Sequence, residues 1–132
     1  MIIGDIASIS KTISEFDVYS FAGLVGDFNS VHINSVAAKE SVFGNRVAHG
    51  MLVGSLFSAV LGTKLPGVGT VYLEQDLKFK KPVYFGDTIT ATVTVSELIN
   101  ESKGIYKLLT NATNQNGECV VDGFAVVMYK EQ

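Results

Sequence analysis

The sequence predicts an α+β fold, and three observations carry that prediction. Helix-like apolar spacing fills the first half of the chain and strand-like alternation the second, whereas a parallel β-α-β fold would interleave the two. Residues 49–64 carry apolar or small side chains nearly all round a helix, the pattern of a helix wrapped by other structure. Asn116-Gly117, between two β-rich runs, is the strongest short hairpin signal in the chain.

The elements follow in order. Residues 7–13 alternate well enough for a strand. Ser14 is a good N-cap, and Asp17 three positions on makes a weaker version of a capping box. The helix after it is expected to turn Phe16, Tyr19, Phe21 and Leu24 toward the core and to stop at Gly26. A polar segment spans residues 27–34, and a short helix spans 35–41. In the main helix, residues 49–64, Leu52, Val53, Leu56, Phe57, Val60 and Leu61 recur at three- and four-residue spacing. Gly54, Ser55, Ser58 and Ala59 fill much of its other face, and Pro66 and Gly67 end it. Strands are expected over residues 68–82, 87–98, 105–113 and 118–129, with a turn at Gly86-Asp87. Together these give a long antiparallel sheet curled around one apolar helix.

Composition narrows the function. The chain has 132 residues, 47% of them hydrophobic and 17% charged, which suits one compact domain over residues 1–132 and excludes disorder. So much apolar content in a short chain also suggests a surface covered by a partner subunit, a homodimer or larger homo-oligomer. A net charge of −3 leaves no basic excess for a nucleic-acid backbone. Cys119 is the single cysteine and, beside Val120 and Val121, reads as a small buried residue. No signal peptide is visible, and no apolar run reaches the roughly 18 residues that span a bilayer. A cytoplasmic protein without membrane partners is expected.

Two features carry chemistry. Asp27 and His32 share the polar segment after a helix end, and Asp with His is the pairing most used to move protons near neutral pH. Asn29, between them, could orient one or bind a water. By spacing alone such a pair is more often a turn cap and a satisfied polar residue than a catalytic dyad. The second feature is Ala48-His49-Gly50-Met51, just before the main helix, where unpaired backbone N–H groups meet the positive end of the helix dipole. Gly50 lets a ligand carbonyl come close to such an N–H, which would stabilise a developing oxyanion. Close packing of the helix on the sheet would ask for the same glycine.

In combination these features are more specific. The run from Phe21 through Gly26, Asp27, Asn29 and His32 resembles the hydratase motif of the MaoC-like family, with the closest likeness to short (R)-specific enoyl-CoA hydratases that feed polyhydroxyalkanoate synthesis. Arg46 to Leu52, Leu56-Phe57-Ser58, Val71-Tyr72-Leu73 and the run from Phe79 to Asp87 resemble later parts of the same pattern. The resemblance implies a hot-dog fold, usually dimeric. It implies Asp27 and His32 as the catalytic pair, Gly50 as oxyanion-hole donor and Ser58 as a support for the active-site hydrogen bonds, with His49 and Met51 beside them. It also implies an acyl-CoA substrate and no metal or other cofactor. One departure stands out, since Ser30 replaces a usual proline.

The expected reaction is addition of water to a trans-2-enoyl-CoA, giving an (R)-3-hydroxyacyl-CoA. The same groups would serve dehydration on coenzyme A or an acyl-carrier protein. Thioesterases of this fold generally place an acid on or near the central helix, and residues 51–64 contain none. A non-catalytic acyl-thioester binding module is the rival from another class. Lys78, Lys80 and Lys81 could meet the phosphates of coenzyme A, or simply form a solvated face.

Overall fold

The computed structural model describes residues 1–131. The chain runs β1 (Ile6–Thr12), α1 (Glu15–Val25), α2 (Ser30–Ile33), α3 (Ser35–Glu40), α4 (Gly50–Thr63), β2 (Val71–Phe79), β3 (Thr88–Asn100), β4 (Ile105–Thr113) and β5 (Cys119–Met128). The strands form one antiparallel sheet in the order β1-β3-β4-β5-β2. Strand β3 shows why the sheet has an inside. Its Ile89, Ala91, Val93 and Val95 are buried, while the intervening threonines face outward. Against that face lies α4, whose Val53, Phe57, Val60 and Leu61 join Leu108, Ala112, Val121, Ala125 and Val127 in one core. The β4–β5 hairpin closes around Asn114, with Gly117 at φ +74° where a side chain would be strained. Among the described residues no helix is long and apolar enough to cross a membrane.

The capping box of α1 is complete. Asp17 N donates to Ser14 Oγ (3.1 Å) and Ser14 N donates to Asp17 Oδ2 (2.9 Å). That backbone donor, aided by Lys11, holds the Asp17 carboxyl below its ordinary value. The carboxylate's contribution to stability is therefore present at neutral pH and is lost as pH falls through the depressed folded-state value. Replacing Ser14 by Ala should cost about 1 kcal/mol in urea unfolding at neutral pH. An unchanged midpoint would show that the cap contributes nothing.

Several expectations change. On α1 the core face is Val18 and Ala22, fully buried, while Phe16 and Leu24 are exposed. The helix seats only a narrow stripe four residues apart, and its bulky side chains flank that stripe. Tyr19 instead donates from its hydroxyl to Ile33 O (2.8 Å) and accepts from Arg46 Nη1 (2.7 Å), tying α1 to α2. The polar segment is not all loop. Asn29 accepts from Val31 N (3.3 Å) and starts α2, so Ser30 occupies a first helical position, where proline is also accommodated. Helix α4 is not wrapped all round either: Met51, Ser55, Ser58, Ala59 and Gly62 leave one face open. Cys119 is half-buried rather than buried and accepts from Asn111 Nδ2.

The two outer strands differ. Strand β2 presents Val71, Tyr72 and Leu73 to solvent. Strand β1 presents Ser8, Ser10, Lys11 and Thr12, with the exposed Ile6 at its start, and Lys64, just past α4, donates to its Ser8 main-chain oxygen (2.8 Å).

Candidate active site

Three segments converge at the N-terminal end of α4. Gly26, left-handed at φ 81°, ends α1 and turns the chain so that Asp27 begins a new direction. The Asp27 carboxyl stays half exposed, and its Oδ1 accepts from Asn29 N (3.2 Å). His32 comes from the last turn of α2 and is buried. Its Nδ1 donates to Val47 O (2.7 Å), because a carbonyl can only accept. In the neutral ring, Nε2 then carries the lone pair. Val47 is held in turn by donating its N–H to Val31 O (3.0 Å) and by a bridge to Tyr84.

His49 is the residue just before α4. Its Nε2 donates to Asp27 O (3.0 Å) and lies 4.0 Å from Asp27 Oδ2. Its ring stacks on His32 with centroids 3.7 Å apart and planes 25° apart, while Phe21 packs at 4.9 Å on it. Its Nδ1 is buried without a partner. Asp27, His32 and His49 bring one carboxylate oxygen or ring nitrogen each within 4.8 Å of one another, a spacing that one bridging water can span.

The main-chain oxygen of His49 accepts from Leu52 N and Val53 N (3.1 and 3.3 Å), the first bonds of α4. That leaves the Gly50 and Met51 N–H groups without an acceptor among the described residues. A Cβ on Gly50 would come within 2.7 Å of the Phe79 ring, so a side chain there would crowd the approach to this N–H.

A cavity of about 590 Å³ opens beside these groups. His32, Asn29 and the Gly50 main chain contribute polar groups to its lining, and Met51, Val53, Phe79, Val83 and Val121 apolar ones. Lys80 and Lys81 also line it, Lys81 paired with Glu118, whereas Lys78 pairs with Asp76 away from it. Such a space takes an acyl chain at one end and a polar carbonyl at the other. The predicted residues gather here with one exception. Ser58 lies on the open face of α4 and lines a separate groove with Tyr72 and Gln75, so within this chain it does not support the dyad's hydrogen bonds. Sequence reasoning missed the Val47 carbonyl and the Phe21 ring, the first because a main-chain acceptor leaves no residue-type signal.

The chain is similar to several known proteins. The MaoC like domain model matches residues 6–116. An (R)-specific enoyl-CoA hydratase of Rhodospirillum rubrum is 50% identical over 95% of this chain and 85% of its own. A 3-hydroxybutyryl-CoA dehydratase of Methylorubrum extorquens is 43% identical over 90% of this chain and 74% of its own. The solved (R)-hydratase from A. caviae involved in PHA biosynthesis superposes with a TM-score of 0.94 at 42% identity, covering 98% of each chain.

Proposed function

Since the chain belongs to the MaoC-like domain family, we propose that it is an (R)-specific enoyl-CoA hydratase, adding water reversibly to a trans-2-enoyl-CoA to give the (R)-3-hydroxyacyl-CoA. The observation that carries the reading is an apolar cavity lined by His32 and by Gly50, whose N–H has no acceptor among the described residues, with the Asp27 carboxyl within 4.8 Å of His32. The proposed reaction calls on no metal or further cofactor, Asp27, His32 and the Gly50 N–H being the groups assigned to its steps.

The Gly50 N–H hydrogen-bonds the thioester oxygen, where negative charge grows as water attacks the β-carbon. The positive end of the α4 dipole favours that charge. Water sits between the Asp27 carboxylate and His32 Nε2, which together remove its proton as the C–O bond forms. The resulting enolate takes a proton at the α-carbon from the dyad, and the thioester carbonyl reforms. Run backward, the same groups expel water from the hydroxyacyl thioester, in keeping with dehydratases among the relatives. Lys80, which also lines the cavity, carries a charge that a phosphate of coenzyme A would seek.

The test is the loss of enoyl absorbance on mixing the protein with crotonyl-CoA. Rapid loss is expected. No loss with crotonyl-CoA, longer enoyl-CoAs or enoyl-carrier protein would overturn the enzyme and leave a binding module. Cytoplasmic acyl-CoA pools supply such a substrate, and we place the enzyme there.

The working unit is proposed to be a homodimer. The outer strand β2 exposes Val71, Tyr72 and Leu73, and the open face of α4 adjoins it along the groove lined by Met51, Ser58 and Leu73. An unpaired strand edge bearing apolar side chains invites a second copy. Leu73→Glu is expected to shift the protein from dimer to monomer in light scattering. A variant that elutes and scatters as wild type would exclude this edge as the interface.

A further inference from the structure

We propose that His49 is a positioning residue that holds the dyad and the oxyanion donor in register, an inference that rests on the reading of Asp27, His32 and Gly50 above. It touches all three. Its Nε2–H anchors the Asp27 main-chain oxygen (3.0 Å), fixing where that residue leaves the turn at Gly26. Its ring lies flat on His32 at 3.7 Å, and the Val47 carbonyl grips the far edge of the same His32 ring (2.7 Å). Its own carbonyl starts α4 and so sets the direction of the next N–H, that of Gly50.

A packing role alone does not account for an imidazole here. The residue is 3% exposed, and its Nδ1 is buried with no partner, a cost that a phenylalanine of similar shape would avoid. What phenylalanine lacks is the donor to Asp27 O. The donor is therefore the reason for histidine at this position. The groups facing His49 are Asp27 from the turn after α1, His32 from α2 and the uncharged ring of Phe21 from α1.

Two substitutions separate donor from ring. His49→Phe keeps a ring against His32 and removes the donor, and His49→Gln keeps an amide N–H at comparable reach and removes the ring. With crotonyl-CoA, kcat is expected to fall at least ~10-fold in His49→Phe with KM nearly unchanged, as small misplacements of catalytic groups do. Most of that loss is expected to return in His49→Gln. A folded His49→Phe with wild-type kcat, or a Gln variant no better than Phe, would overturn the proposal. If His49→Phe does not fold, His49→Gln set against His49→Ala gives the same contrast. Asp27→Asn run alongside distinguishes the two failures. Full activity in that variant removes the dyad and this proposal together, whereas an inactive Asp27→Asn beside a fully active His49→Phe removes this proposal alone.

Discussion

Asp27→Asn should fold normally and turn over crotonyl-CoA at least ~100-fold more slowly than wild type, the low end for losing a positioned acid or base. The fold is spared because the carboxyl is half exposed and makes one backbone contact, Oδ1 accepting from Asn29 N (3.2 Å). An asparagine Oδ1 accepts the same bond. The Asp27 main-chain oxygen, which His49 holds, is untouched by the change. What disappears is a negative charge beside the water, together with the capacity to take and return its proton. Initial rates, read beside a thermal melt, check both halves. A variant that melts as wild type and keeps turnover within about threefold would remove Asp27 from the reaction.

Gly50→Ala is expected to be as severe for a different reason. Its N–H survives, but the new methyl would sit 2.7 Å from two carbons of the Phe79 ring. Phe79 is 54% exposed and can swing, so the protein should accommodate the change with little loss of stability. Yet Phe79 and Gly50 line the same cavity, and the methyl would crowd the proposed approach of the thioester oxygen to the Gly50 N–H. Denying one oxyanion donor costs roughly 100- to 1000-fold in turnover. The discriminating pattern is a kcat loss of that size with an unchanged melting temperature. Full turnover would mean that the carbonyl binds elsewhere.

The legible parts of this fold were those written locally. The hairpin at Asn116-Gly117, the Ser14–Asp17 box and the stop at Gly26 each depend on a few adjacent residues, and each formed where the sequence placed it. The buried face of α1 did not follow from bulk. Phe16 and Leu24 are larger than Val18 and Ala22, but contact with the core is decided by how the helix crosses the sheet end, which no local pattern encodes. Helix α2 was hidden because four polar-flanked residues give no periodicity, only a cap at Asn29. For the site, the motif placed Asp27, His32 and Gly50 together although they lie on separate segments. Ser58 was drawn in by the same likeness, yet it lies about 12 Å farther along α4 at 1.5 Å per residue and opens onto another groove.

The unlike edges of the sheet bear on how large an assembly can grow. A strand edge that pairs with its own copy across a two-fold axis is used up in the act, because each chain offers it once. Growth beyond that point needs the opposite edge to be equally receptive. Here β1, after an exposed Ile6 at its start, carries hydroxyl groups and lysine, and the Lys64 ammonium already bonds the Ser8 carbonyl. The proposed association through β2 would therefore terminate at two copies instead of propagating into a fibre, and removing the Lys64 ammonium would take away one of the stops against continuous sheet growth.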